Sequence, residues 1–357
     1  MKKKRVLVGM SGGVDSSVTA ALLKKRGYDV IGITMQLLPN DPDQVSSCCN
    51  ISTITEAKRV CHQLNIPHYT INSRDTFKKN VMDYFVAEYL SGHTPNPCVE
   101  CNRSIKFDEL RIKAKDLDAE FIATGHYCQK RYNPFTKTYE LRKAVDTKKD
   151  QSYFLYMVSN PELQTVLFPL GRYLKPQVRQ MAQEFGLVTA QKPESQDICF
   201  VAGKTYKDVV EELKGDVEIP SGTIVDTSGK VLGTHKGIHT LTIGQRKGLG
   251  ISAPEPLYVL KIDPRTATVV VGAEHECESE EIELKTFTQV SPKEVVLNQW
   301  FQMKSRYQMN PFEAQVTSLN TDNVIVRLKV KQAFVTPGQS GVLYRNNRVV
   351  GGGVIVR

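Results

Sequence analysis

No stretch of this 357-residue chain holds the roughly 18–20 consecutive apolar residues of a membrane helix, so a helical membrane protein is excluded. The opening MKKKRVLVGM passes from a basic tag straight into a strand-like run. It has neither a signal-peptide core nor the Ser/Arg-rich composition of a transit segment, and a cytoplasmic location is expected. There is no long-period repeat and no low-complexity tract, which excludes a repeat architecture. Charge of one sign is not dominant either. The 47 basic and 38 acidic residues leave a net +9, which suits solubility and equally suits an anionic partner such as nucleic acid. Eight cysteines in a reducing compartment do not make a disulfide framework, so catalysis or metal binding comes forward. What is present is ordinary soluble composition, 40% hydrophobic and 24% charged, in a chain long enough for two or three domains.

Residues 5–125 alternate apolar runs with helical patterns. RVLVGM precedes SSVTAALLKKRG, where Gly27 reads as a helix stop. DVIGITM, HYTIN and EFIATG read as further strands; TITEAKRVCHQLN, FKKNVMDYFVAEYL and FDELRIKAKDL read as helices. This rhythm predicts an α/β domain with a doubly wound parallel sheet, which binds ligands beyond the carboxyl ends of its strands. From about Thr223 the texture becomes short β-rich runs punctuated by Gly, Asn, Asp and Pro. A small central β-rich domain and a C-terminal β-barrel-like domain are expected. The expected boundaries are 1–204, 205–278 and 279–357.

The string Gly9-Met10-Ser11-Gly12-Gly13-Val14-Asp15-Ser16-Ser17 lies between a strand and a helix. Its glycines let backbone approach a ligand, and the helix start offers unpaired N–H groups and partial positive charge suited to phosphate. Asp15 is the odd member, sensible as a helix N-terminal charge or as a ligand for a bridging Mg²⁺. A glycine turn with a capping Asp is the plain alternative. The string is not G-x-x-x-x-G-K-[ST], because no lysine follows the glycines. It resembles the PP-loop of the ATP pyrophosphatase superfamily. That resemblance implies cleavage of ATP between its α- and β-phosphates, with an adenylated substrate oxygen. Met35, ending a strand, is a candidate adenine contact or else ordinary core. Gly125 of ATGHY is placed against the nucleotide, and His126 alone is an ordinary polar residue.

An activated oxygen needs a nucleophile, and thiolate is the strongest among side chains. Three cysteines stand where this chemistry needs them: Cys98 and Cys101 in TPNPCVECN, a proline-broken stretch expected to be a loop, and Cys199 in SQDICF. Arg103, Lys106 and the helix start that follows are positioned to lower thiol pKa values. Structural zinc is disfavoured because C-V-E-C has no second metal-binding pair. Cys61 falls on an amphipathic helix and reads as core. Cys48 and Cys49 form a vicinal pair that can bind metal or arise by accident; Cys128 and Cys277 have no informative context.

The order GMSGGVDSS, TPNPCVECN, IKF, ATGHY, KDQSYFL, FPLG, KPESQDICF, HTLTIGQRKGLG, RY and GQSGVLY resembles the tRNA-specific 2-thiouridylases over essentially the whole chain. The resemblance implies ATP-dependent thiolation of the wobble uridine in the Lys, Glu and Gln tRNA set, with ATP and Mg²⁺ as cofactors. It implies Cys101 as nucleophile and Cys199 as the residue that receives persulfide sulfur. The sulfur would come from a cysteine desulfurase or relay protein. It also implies that Asn96, Pro97 and Cys98 face the target base, and that Lys149, Asp150, Gln151, Arg306 and Tyr307 contact tRNA. One departure matters: many members carry Asp where this chain has Cys98. Three thiols, Cys98, Cys101 and Cys199, are also a ligand set for a 4Fe–4S cluster with one open site. The persulfide route is favoured because Cys101 and Cys199 suffice for it.

Two stretches suit RNA beyond the resemblance. Arg246 and Lys247 lie among glycines, good for approach to phosphates, although a solvated turn would look the same. Lys304, Arg306 and Tyr307 join charge to a stacking ring. Strand alternation would put Lys304 and Arg306 on one face and Tyr307 on the other. Two other readings compete. A PP-loop ligase or amidotransferase acting on a small metabolite would not need the paired cysteines. A zinc or redox RNA-binding protein would not release pyrophosphate from ATP.

Overall fold

The structure is a computed structural model and describes residues 3–39, 51–194, 198–201 and 203–356. Five parallel strands form the N-terminal sheet: β1 (Arg5–Gly9), β2 (Asp29–Gln36), β3 (His68–Asn72), β4 (Phe121–Ala123) and, beyond a hairpin of β5 (Cys128–Asn133) and β6 (Thr138–Lys143), β7 (Val166–Leu167). Their order is β3-β2-β1-β4-β7. The chain winds outward from β1 through β2 to β3, then returns to β4 on the other side. The switch point of the sheet is therefore between β1 and β4. Val6 and Val8 of β1 pack into one core cluster and Leu7 into the other, as a strand covered on both faces requires. Helices Val14–Lys25, Ile51–Gln63 and Lys175–Glu184 cover the first face; the helix over residues 97–116 covers the second.

That last helix corrects one expectation. TPNPCVECN is not a loop throughout: helix begins at Pro97, with Asn96 as N-cap, and carries both Cys98 and Cys101. Proline at the first helical position loses no hydrogen bond and has its φ already set. The helix then widens into π turns over Cys101–Glu109 before returning to α geometry at Leu110–Asp116. Such wide turns sit often at functional sites.

The central domain is a four-stranded sheet of β8 (Gly222–Val225), β9 (Val231–His235), β10 (Tyr258–Asp263) and β11 (Thr268–Gly272), ordered β10-β11-β8-β9. The C-terminal domain holds β12 (Glu278–Thr288), β13 (Trp300–Lys304), β14 (Phe312–Leu319), β15 (Asn323–Ala333), β16 (Ser340–Arg345) and β17 (Arg348–Ile355). Pairing of β12 with β17 closes these six into a barrel. Ile282, Leu284, Met303, Val316, Val326 and Val350 fill it, each fully buried. Burial of such side chains is worth about 1.5–3 kcal/mol apiece. The β5–β6 hairpin, which the sequence reading left unassigned, extends this barrel sheet through β6 and β17, with Val349 opposite Leu141. The catalytic domain and the barrel thus share a sheet, and residues far apart in sequence are held in fixed register.

Candidate active site

The glycine string occupies the carboxyl end of β1 and the first turn of helix Val14–Lys25, at the switch point. Gly13 is the N-cap and supplies no side chain to close the helix start. Gly12 has φ +66°, and a Cβ there would meet the Thr53 carbonyl oxygen at 2.5 Å. Across the opening, a Cβ on Gly125 would lie 2.9 Å from the Ser16 nitrogen. Only glycine leaves that cradle open. Ser16 Oγ accepts from the Ser11 N–H at 3.2 Å and donates to the Gly13 carbonyl at 3.1 Å, while Ser17 Oγ donates to the same carbonyl at 2.8 Å. The hydroxyls therefore brace the loop as well as facing a ligand.

Asp15 is heavily engaged. Lys175 Nζ donates to both its oxygens at 2.8 Å, and Tyr127 OH donates to Oδ1 at 2.8 Å. Lys175 is only 7% exposed and also meets Glu194 at 3.0 Å. Glu194 in turn gathers Lys149 at 2.6 Å and Arg179 at 3.5 Å. Burial raises the Glu194 carboxyl, but its bonds to Lys149 and Lys175 outweigh that and hold it at about 2. Lys192 Nζ reaches the Gly12 carbonyl at 3.2 Å and also pairs with Glu56. The loop is thus ringed by lysines from two later segments, a substitute for the lysine that its own motif lacks. Sequence reading missed Lys175. The signal was there: a cation at the first position of a helix opposes the helix dipole and needs a local reason.

Met35, next to last in β2 and half-buried, packs against both the sheet core and a small apolar cluster. That cluster contains Leu37, Leu38, Phe77, Val81 and Ile105 together with Cys101, which is buried, and Cys199, which is half-buried. The structure brings these two cysteines to one apolar cluster, which is linked to the glycine string through Met35, the neighbour of Thr34, whose hydroxyl donates to the Met10 carbonyl. Cys98, half-buried, lies one turn before Cys101 on the same helix. Arg103, two residues beyond Cys101, pairs with Glu100 at 2.7 Å. Among the described residues, no three His, Cys, Asp or Glu side chains gather closely enough to hold a metal ion, so Cys98, Cys101 and Cys199 as placed do not fit a cluster ligand set. Cys61 and Cys128 are fully buried, and burial raises both thiols, Cys61 to about 12. They are inert packing. Burial and two nearby glutamates raise Cys277 as well. Cys48 and Cys49 lie outside the described residues. His126 is buried between Thr124, whose hydroxyl is 2.8 Å from Nδ1, and the ring of Phe107. Burial, with Lys106 nearby, drives its pKa well down, so it is a neutral imidazole.

The expected RNA contacts divide. Arg246 and Lys247 are exposed on a turn of the central domain. Lys149 points to Glu194. Asp150 and Gln151 turn inward: Asp150 accepts from the Ala144 and Ser152 amides, and Gln151 accepts from the Tyr127 amide at 2.9 Å. They fasten this turn to ATGHY. The strand reading of MKSRYQ is corrected: β13 ends at Lys304 and the chain bends at Ser305, so alternation does not extend to Arg306 and Tyr307. Met309 sulfur accepts from the Ser305 amide and holds the bend. Lys304 Nζ donates to the Tyr307 carbonyl and lies 6.0 Å from its ring. Tyr307 packs on Phe154 with centroids 4.5 Å apart.

Fold and site together define a nucleotide-activating enzyme with a thiol centre. A family model described as the tRNA methyl transferase HUP domain matches residues 4–203, one described as the tRNA methyl transferase PRC-barrel domain matches 210–273, and one described as the aminomethyltransferase beta-barrel domain matches 279–355. Full-length relatives carry a more particular name. The chain is 45% identical over 360 residues to tRNA-specific 2-thiouridylase MnmA 1 of Thermoanaerobacter pseudethanolicus, covering 100% of this chain and 99% of that protein. It is 45% identical over 359 residues to tRNA-specific 2-thiouridylase MnmA of Acetivibrio thermocellus, covering 99% and 100%. It is 47% identical over 357 residues to MnmA 1 of Caldanaerobacter subterraneus, covering 98% and 97%. This chain belongs to the tRNA-specific 2-thiouridylase family.

Proposed function

We propose that this enzyme replaces the C2 oxygen of the wobble uridine by sulfur in the Lys, Glu and Gln tRNA set, using ATP. The observation that carries the reading is the shared apolar cluster of Cys101, Cys199 and Met35, joined to the glycine string where Thr34 bonds the Met10 carbonyl. The uracil O2 attacks the α-phosphorus and pyrophosphate leaves, so C2 carries a good leaving group. Mg²⁺, when bound, neutralises phosphate charge; Asp15 is the one carboxylate of the loop itself, and the buried Lys175 beside it adds fixed positive charge. A donor protein of the desulfurase or relay type loads one sulfur onto Cys199 as a persulfide. The terminal sulfur adds to C2, and AMP departs with the former O2. The Cys101 thiolate then attacks the Cys199 sulfur, and the S–S bond breaks with its electron pair going to the sulfur now on C2. The products are 2-thiouridine and a Cys101–Cys199 disulfide, which an external thiol reduces. The apolar cluster suits this sequence, since water would hydrolyse the activated base. On this reading Asn96 at the helix N-cap, Pro97 and Cys98, just before Cys101, are the residues that face the flipped base.

Among the described residues no helix is long and apolar enough to cross a membrane, and we place the enzyme in the cytoplasm with its tRNA. The test is a reaction containing tRNA transcript, ATP and a persulfide donor. One pyrophosphate and one AMP should form per 2-thiouridine. Pyrophosphate release that needs a small metabolite and ignores tRNA would replace this reading with a ligase.

A further inference from the structure

The barrel reaches back to the start of the catalytic helix through the segment that runs from Phe334, after β15, to Ser340 at the start of β16. Thr94 N–H donates to the Pro337 carbonyl at 2.9 Å. Gln339 Nε2 donates to the Thr94 carbonyl at 2.7 Å and to the Pro95 carbonyl at 3.3 Å. Gly338 has φ +89°, and a Cβ on it would lie 2.9 Å from the nitrogen, carbonyl carbon and oxygen of Thr94. The Tyr153 hydroxyl donates to the Ser340 carbonyl at 2.8 Å, with the Asn96 side chain within its reach. These contacts end at Asn96, the N-cap of the helix whose next turn carries Cys98 and Cys101. Some 240 residues of chain separate the two partners.

The other end of the segment is held from the tRNA side. Arg306 Nη2 donates to the Phe334 carbonyl at 2.8 Å and to Thr336 Oγ1 at 2.6 Å. Phe334 lies against Gly244, in the turn that presents Arg246 and Lys247, where a Cβ would meet its ring at 2.8 Å. One short segment therefore touches each group of residues expected to meet RNA on the central domain and barrel, and also grips the start of the nucleophile's helix.

We infer that residues 334–340 are a positioning strap for the nucleophile helix, with Gln339 as its clamp. The inference deepens the proposed function, because it takes Cys101 as the nucleophile. A carboxamide donating to two successive carbonyls fixes the chain direction into the N-cap. A Gln339→Leu side chain fills similar space and donates nothing, leaving both carbonyls without that partner. The helix start then frays, and Cys101 loses both its cover and its alignment with Cys199. Gln339 touches no reacting atom in this scheme; it acts through Thr94 and Pro95.

The test measures iodoacetamide labelling of each cysteine by peptide mass spectrometry in the full-length protein, without ATP or tRNA, and in parallel kcat and tRNA Kd. Gln339→Leu should label at Cys101 about tenfold faster than the unsubstituted protein. Its kcat should fall about tenfold with Kd changed less than threefold. Cys61 and Cys128, both fully buried elsewhere, should stay protected and so report an intact fold. If Gln339→Leu does not fold, Gly338→Ala tests the same contact, because its Cβ prises the strap from Thr94 while Gln339 remains. Unchanged Cys101 labelling in a folded variant overturns the strap. So does a rise in Kd that accounts for the whole loss of activity, since Gln339 would then be a plain RNA contact. Faster Cys101 labelling in a preparation that never thiolates tRNA would uphold the strap and sink the functional reading instead.

Discussion

Replacing Lys175 with methionine removes the ammonium that neutralises Asp15 and Glu194, and keeps most of the buried stem. Three contacts of 2.8–3.0 Å are lost at once. Leaving one partner of a buried ion pair uncompensated costs about 3–5 kcal/mol. Here the carboxylates are 31% and 25% exposed and so regain some water, and Lys149 and Arg179 still hold Glu194. A loss below that range, about 2–3 kcal/mol, is therefore expected. At about 2–4 °C per kcal/mol for a domain of this size, the melting temperature should fall by about 4–12 °C. Tyr127 OH would remain as the sole direct donor to Asp15 among the bonds described above. Asp15→Asn in the same background removes the uncompensated charge, so the double variant should recover much of the lost stability. Pyrophosphate release should stay low in both, because positive charge beside the loop is missing. The assay is a thermal melt of the four proteins of the cycle with tRNA-dependent pyrophosphate release on each. A Lys175→Met protein that melts within 1 °C of the parent and releases pyrophosphate normally would refute the reasoning.

Arg306→Ala should weaken tRNA binding and reduce the slope of log affinity against log salt by about one, as loss of one phosphate contact requires; a filter-binding salt series measures both, and an unchanged slope assigns Arg306 wholly to the strap. Glu194 is held at about 2, below its ordinary 4.5, so its bonds stabilise the fold fully above pH 4.5 and less as pH falls towards 2. Acid unfolding curves of Glu194→Gln should accordingly be flatter than the parent's between those values, and parallel curves would contradict the assignment. Cys98→Asp restores the residue that many family members carry, and on the persulfide route it should keep or raise thiolation in iron-free protein; collapse of activity together with loss of stoichiometric iron from anaerobically isolated parent would favour a cluster.

The parallel sheet was legible because buried parallel strands read as apolar runs, which β1, β2 and β4 carry, whereas the edge strand β3, HYTIN, showed itself only by its place between two helical patterns. The glycine cradle was legible because φ +66° at Gly12 and the close approach at Gly125 leave no choice of residue. Other features were hidden for physical reasons. The helix at Pro97 looked like a loop because proline and asparagine signal turns as readily as helix starts. The β5–β6 hairpin was missed because its sequence, CQKRYN and TYELRK, is charged, and it gains its place by pairing with β17 about 200 residues away. The roles of Lys175, beyond the bare signal of a cation at a helix start, and of Gln339 were hidden for the same reason. Each draws its role from partners at Asp15 and at Thr94 and Pro95, which only the folded chain brings near.

The central claim is that sulfur passes to tRNA through Cys199 and is released by Cys101. The direct measurement follows ³⁵S from a persulfide donor in single turnover, with parent, Cys199→Ser and Cys101→Ser proteins, reading label on protein and on the wobble uridine. The parent should carry label transiently on Cys199 and finish with labelled 2-thiouridine. Cys199→Ser should take up no label on protein and pass none to RNA, with ATP binding intact. Cys101→Ser should load Cys199 and stall, with no free 2-thiouridine formed. Labelled 2-thiouridine from the Cys199→Ser protein would contradict the account.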